Sequence, residues 1–177
     1  MRSITLITTG GTIEKTYDER SGTLANRHSV VHRMLRRLRL TDTTVSTVEL
    51  MHKDSTELTD RDRARIADAV RALGAEGDEP TELDGVVILH GTDTLEQTGD
   101  LLHRELTELR VPVVLTGAMR PFEMIRSDAF QNLTEAVFAA GALPPGVYCV
   151  AHGRALRFPG VTKDRGEGTF IGGEAPR

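Results

Sequence analysis

The run Gly85–His90, GVVILH, is apolar at successive positions instead of alternate ones. Side chains along a strand point to opposite faces in turn, so a segment of this kind must be covered on both sides. Parallel sheets flanked by helices meet that condition. Ser3–Thr8 (SITLIT) and Val111–Thr116 have the same character, the latter with Pro112 near its first position, where proline is tolerated. The β-branched Thr43–Leu50 and Val147–Ala151 add two more strands.

Helical patterns lie between these runs. His28–Leu38 places Val30, Val31, Met34 and Leu38 at helical spacing. Thr59 opens a second helix with Asp62 three residues on, a capping-box spacing. Its stripe is Ile66, Val70 and Leu73, and Gly74 or Gly77 stops it. Leu95–Leu109 follows a Thr94/Gln97 pair of the same kind, and Ser127–Ala140 carries Phe130, Leu133, Ala136 and Val137. Asp18–Asn26 reads as a mobile loop, Ala155–Phe158 as a short hairpin partner, and the Gly-rich tail from Val161 shows little periodicity. Alternating strands and helices predict one α/β domain with a mainly parallel sheet. Ligands of such sheets bind beyond the carboxyl ends of the strands.

Composition narrows the function classes. The 177 residues carry a formal net charge of −4, which argues against a dedicated nucleic-acid binder. Cys149 is the only cysteine and cannot form an intrachain disulfide, and no Cys/His cluster has zinc spacing. No apolar run reaches the ~20 residues of a membrane span. The apolar stretch before Gly10-Gly11 is too short for a signal peptide. The expectation is a cytoplasmic protein with no metal and no membrane contact.

The strand exits hold the informative residues. After the first strand comes Thr8-Thr9-Gly10-Gly11-Thr12-Ile13, which matches neither the P-loop nor the dinucleotide fingerprint. Glycines there let backbone amides approach a ligand. The later exits read Lys53-Asp54-Ser55-Thr56-Glu57, His90-Gly91-Thr92-Asp93-Thr94 and Thr116-Gly117-Ala118-Met119-Arg120-Pro121. Ser55 can also be read as a helix cap, and Thr94 is read as one because Gln97 supports it. Thr92-Asp93 reads either as a dipole-stabilising turn or as a ligand-binding pair. Hydroxyls, amides and one carboxylate suit a small zwitterion, whose ammonium Asp93 would hold.

A hydroxyl nucleophile needs a base. His90 ends a buried strand and reads as a satisfied core residue. Lys163 is one of three lysines among twenty-two basic residues. A lysine acts as a base only after losing its proton, which apolar surroundings favour. On spacing alone, Lys163 is an exposed lysine in a polar tail.

Taken together, Thr9-Gly10-Gly11-Thr12-Ile13, His90-Gly91-Thr92-Asp93-Thr94 and Leu115-Thr116-Gly117-Ala118-Met119-Arg120-Pro121 resemble the bacterial-type L-asparaginase/glutaminase family. Ser127-Asp128 followed by Asn132-Leu133, and Gly146-Val147-Tyr148 leading to Val161-Thr162-Lys163, extend the likeness in the same order. The resemblance runs from about Ser3 to Lys163. It implies a three-layer, flavodoxin-like sandwich of the asparaginase N-terminal-domain kind, with an unusual left-handed crossover. It also implies a hydrolase that converts L-asparagine and water to L-aspartate and ammonia, with weak glutaminase activity and no metal or cofactor.

Residue by residue, the resemblance implies Thr12 as the nucleophile of a flexible loop. Thr92, Asp93 and Lys163 would form a rigid triad, which overturns the exposed-tail reading of Lys163. Substrate binding would fall to Gly11, Ser55, Thr56, Thr92 and Asp93. Which threonine attacks first stays open. Family members usually carry a second, C-terminal domain that lends an acidic residue to a neighbouring subunit's site. Residues 1–177 read as the catalytic domain alone, so Glu14, Asp18 and Glu19 become candidates for that acid. The family's lid tyrosine follows the threonine at a longer interval, near Thr23. Tyr17 is the one tyrosine in the loop and is assigned that role. A homodimer or homotetramer is expected. Two other readings are a non-catalytic module that binds asparagine or aspartate, and a component of a tRNA-dependent amidotransferase; net charge speaks against direct tRNA contact. A nucleotide-binding flavodoxin-like domain is the weakest option, because no phosphate motif is present.

Overall fold

The computed structural model describes residues 1–78 and 80–174. Five parallel strands form the body of one sheet: β1 (Arg2–Gly10), β4 (Thr43–Lys53), β5 (Gly85–Leu89), β6 (Pro112–Thr116) and β7 (Gly146–Ala151). Their spatial order is β4-β1-β5-β6-β7, the flavodoxin-like 2-1-3-4-5 arrangement. Two antiparallel strands, β8 (Arg154–Asp164) and β9 (Thr169–Glu174), complete the sheet. A separate hairpin pairs β2 (Thr16–Asp18) with β3 (Thr23–Ala25).

Successive residues of β5 serve opposite faces. Val86 and Ile88 pack with Ile66 and Val70 of α2 (Asp60–Ala72) and Leu95 and Leu102 of α3 (Leu95–Glu105). Val87 and Leu89 pack with Val31 and Met34 of α1 (Val31–Leu35) and Leu133 and Ala136 of α4 (Ala129–Ala140). All four β5 side chains are fully buried, each worth ~1.5–3 kcal/mol relative to exposure. This double coverage is why the run lacks alternation, and it yields the expected three layers.

Some elements differ from the sequence reading. The capping box at α2 is present, with Thr59 and Asp62 bonded reciprocally, and Gly74 follows the helix at φ 73. Thr94 does not cap α3 through its side chain, because its hydroxyl donates to the Ser55 carbonyl at 2.8 Å. Tertiary strapping outcompetes the local cap here. Helix α3 stops at Glu105 instead of Leu109, since the chain needs residues 106–111 to return to β6; Leu109 there bridges Glu76. Helix α1 spans only Val31–Leu35, and Arg37 and Leu38 continue it as i→i+3 turns. The expected loop at Asp18–Asn26 contains half of the β2–β3 hairpin.

The largest difference lies beyond Val150. The segment expected to be a short hairpin partner and an irregular tail is one long strand, β8, followed by β9. Strand β8 pairs with β7 from Arg154 to Arg157, then its register with β9 shifts between Arg157 and Val161. Past that shift it runs back along α3. Phe158 lies on Gly99, the Gly160 amide donates to Asp100, and the Lys163 amide donates to Glu96. A methyl at Gly99 would sit 2.0 Å from Cζ of the buried Phe158 ring, so the crossing requires glycine there.

Candidate active site

Close backbone packing draws the strand exits together. Gly10 and Gly11 have φ 99 and 79, values that favour glycine. A Cβ on Gly11 would lie 2.4 Å from the Gly91 Cα, so the loop carrying Thr12 rests on the loop carrying Thr92. A Cβ on Gly91 would meet Ser55 Oγ at 2.6 Å, and one on Gly117 would lie 3.1 Å from Thr92 Cγ2. Four exits, after β1, β4, β5 and β6, thus converge around Gly91-Thr92.

Into this convergence β8 delivers Lys163. Its Nζ donates to Thr92 Oγ1 at 2.7 Å and to Asp93 Oδ1 at 2.9 Å. Thr92 is buried, and the Lys163 side chain is 13% exposed. The Glu96 carboxylate accepts the Lys163 backbone amide at 3.0 Å, which fixes where the side chain departs from the strand. The Lys163 hydrogen bond holds the Asp93 carboxyl below its ordinary value against the opposing effect of burial, and Arg165 adds to that. Arg165 donates to the same Asp93 oxygen at 3.0 Å. A hydroxyl and a carboxylate share the Lys163 nitrogen here, and in its neutral amine form such a group can take a hydroxyl proton and return it.

The remaining sequence candidates fall into two groups. Ser55 belongs with the triad: it is buried, it packs on Gly91, and its hydroxyl has no hydrogen-bond partner among the described residues. Thr12 stands half-buried at the start of a 3-10 turn, Thr12–Glu14, directly after Gly11. Thr56 is exposed, and its hydroxyl and amide both bond to Asp54. Tyr17 is 61% exposed on β2, and its amide donates to Glu123. Among the described residues no hydrogen bond joins Tyr17 to Thr92, Asp93 or Lys163. Of the candidate acids, Glu14 is buried, bonded to Gly10 and Ser29. Asp18 is tied to Arg27 and Ser21, and Glu19 is exposed.

Sequence reasoning passed over Glu96 and Arg165. The one signal for Arg165 was a cation two positions past Lys163. His90 behaves as read: it is buried, its Nδ1 bonds the Gly91 carbonyl and its Nε2 bonds Thr98. Burial brings it down to about 4, so it is neutral at pH 7. The β6 exit is held by Asp128, which accepts the Met119 and Arg120 amides, and by Asn132, which donates to the Gly117 carbonyl. His152 bonds Asp128 from the far side at 2.8 Å. Among the described residues no group of three or more His, Cys, Asp or Glu is placed to hold a metal ion. No described helix is long and apolar enough to cross a membrane.

Comparison with known proteins identifies the family and the fold. The family model described as asparaginase, N-terminal, matches residues 3–169. A component of the glutamyl-tRNA(Gln) amidotransferase of Thermoplasma acidophilum is 34% identical over 140 residues, which are 79% of this chain and 33% of that protein. An L-asparaginase of Thermococcus kodakarensis is 38% identical over 104 residues, 59% of this chain and 30% of its own. The solved structure of the thermostable L-asparaginase from that organism superposes with a TM-score of 0.82 at 31% identity, covering 96% of this chain and 50% of the other. The chain therefore spans about a third of the length of these curated relatives and half of the solved one. With the family model running from β1 into β9 over a shared sandwich of strands and helices, the chain belongs to the asparaginase family.

Proposed function

We propose that this chain hydrolyses the side-chain amide of L-asparagine, giving L-aspartate and ammonia by threonine-based catalysis. The observation that carries the reading is the contact of Lys163 Nζ with both Thr92 Oγ1 and Asp93 Oδ1. A threonine hydroxyl adds to the amide carbon, and its proton reaches the departing nitrogen through the Thr92–Lys163 pair. Ammonia leaves, and water cleaves the resulting ester to regenerate the threonine. The family resemblance assigns the attack to Thr12 and the relay to Thr92. Backbone amides of the glycine exits suit the oxyanion. The unpartnered Ser55 hydroxyl would bond the substrate carboxylate, and Asp93 its ammonium.

The T. acidophilum relative supports a second reading, in which a related site releases ammonia from glutamine for a partner. One experiment separates the two: ammonia release from the purified chain with asparagine and glutamine side by side. Asparagine turnover that Thr12→Ala and Thr92→Val each reduce by about a hundredfold or more is the expected outcome. Preference for glutamine would favour the second reading. Native circular dichroism with no turnover on either amide would leave a binding module.

A further inference from the structure

Glu14 lies two residues past Thr12 and is 1% exposed, yet the proposed reaction does not use it. Its Oε2 accepts the Gly10 amide at 3.1 Å, and its Oε1 accepts the Ser29 hydroxyl. The Val30 amide also donates to it. Gly10 ends β1 and, with Gly11, forms the turn into Thr12. Ser29 stands four residues past β3, where the hairpin segment rejoins α1. One buried carboxyl therefore bonds the strand exit that carries Thr12 and the far foot of the segment that carries Tyr17. A residue with only packing to do would not be a carboxyl, since burying one is costly.

We propose that Glu14 is a positioning residue: its carboxyl is a clasp that fixes the Gly10–Thr12 turn and closes the 15–28 segment at its base. The effect on turnover rests on the threonine-hydrolase reading. The clasp itself rests on geometry alone. The charged group acting on Glu14 among its described neighbours is Glu49 of β4, a like charge, and its hydrogen-bond partners are backbone amides and a hydroxyl. Burial pushes the carboxyl up to about 7 despite those donors, so both protonation states are populated near neutrality. Both can keep the clasp. The protonated form still accepts from Gly10 through one oxygen, while its O–H donates to Ser29. Glutamine reproduces that pattern, with its carbonyl toward Gly10 and its NH2 toward Ser29. Alanine cannot.

Hydrogen exchange on wild type, Glu14→Gln, Glu14→Ala and Ser29→Ala tests the clasp, with ammonia release measured in parallel. Glu14→Ala should speed exchange across residues 10–30 about tenfold or more while β5 and β6 keep their protection. Its kcat should fall about tenfold or more, with KM nearly unchanged, because the nucleophile is misplaced and not the substrate. Glu14→Gln should restore both readouts, and Ser29→Ala should loosen the hairpin while sparing Gly10. Wild-type exchange in Glu14→Ala would overturn the clasp, and so would a Gln variant as loose as the Ala one. If the Ala variant does not fold, Ser29→Ala against Glu14→Gln decides by the same exchange pattern. Loosened exchange in Glu14→Ala alongside a wild type that releases no ammonia would sink the hydrolase reading and leave the clasp standing.

Discussion

Two regions supply the candidate chemistry, and they are built in opposite ways. The Thr92–Asp93–Lys163 group sits on the end of a fully buried strand and is pinned by a second strand crossing α3. Its hydroxyl, carboxylate and ammonium are joined by contacts within 3.0 Å. The hairpin Thr16–Ala25 is a two-stranded ribbon outside the main sheet, with Tyr17 and Leu24 exposed. A lone ribbon of that size is marginal in water. It is held at its edges, by Glu123 on the Tyr17 amide, by Arg27 on Asp18 and by Glu14 at its base. Under the hydrolase proposal, a rigid catalytic group beside a hairpin held only at its edges would suit a site that admits a substrate and then excludes water. Perturbing either region separately tests that contrast.

The largest effect should come from the pinned group. Arg keeps the charge of Lys163 but cannot give up its proton, and its planar fork does not fit a point contact with two oxygens. Lys163→Arg should therefore lose about a thousandfold in kcat/KM for ammonia release. Retention of most of the rate would make Lys163 a charge-setting residue and dissolve the contrast between the two regions.

Gly99→Ala reaches the same group without touching it. The added methyl must push the Phe158 ring away, at a cost of ~1–3 kcal/mol for overpacking. The shift is transmitted along β8 to Lys163, and an ångström of misplacement costs up to ~100-fold. A fall of about ten- to a hundredfold in kcat, with exchange in the hairpin unchanged, is expected. A variant with displaced β8 but full activity would show that Lys163 does not need this delivery.

On the hairpin side the effects should be smaller. Tyr17→Phe should lower kcat about tenfold or less, since the tyrosine is exposed and outside the described hydrogen bonds of the triad. A loss as large as that of Lys163→Arg would merge the two regions into one catalytic unit.

A separate effect, read in stability instead of rate, concerns Glu14. Burial raises Glu14 from 4.5 to about 7, so the folded chain binds that proton more tightly than the unfolded one. Its favourable contribution is complete below pH ~4.5 and is lost progressively as pH rises to ~7. The gap corresponds to about 3 kcal/mol. Glu14→Gln should flatten the fall in Tm between pH 5 and pH 8 by several degrees. An unchanged slope would mean that Glu14 titrates as an exposed carboxyl.

The amino-acid sequence by itself determined the parallel strands and the residues at their ends. Val86 to Leu89 announce two-sided burial because each side chain reports its own face, a property that needs no distant partner. The Gly-Gly turn after β1 and the capping box at Thr59 are equally local. Local cues failed where distant residues decide. Thr94 has the sequence of a cap, but a carbonyl 39 residues away takes its hydroxyl. Lys163 looked like a solvated lysine because its periodicity is spoiled by a register shift, and its bond to Thr92 spans 71 residues. Arg165 on Asp93, Glu96 under the Lys163 amide and Gly99 beneath Phe158 exist as features only once β8 lies along α3. Hydrophobic periodicity encodes which face a side chain occupies, but not which distant strand will pass over it. Only close packing in three dimensions decides that, and with it the meeting of Lys163 and Thr92.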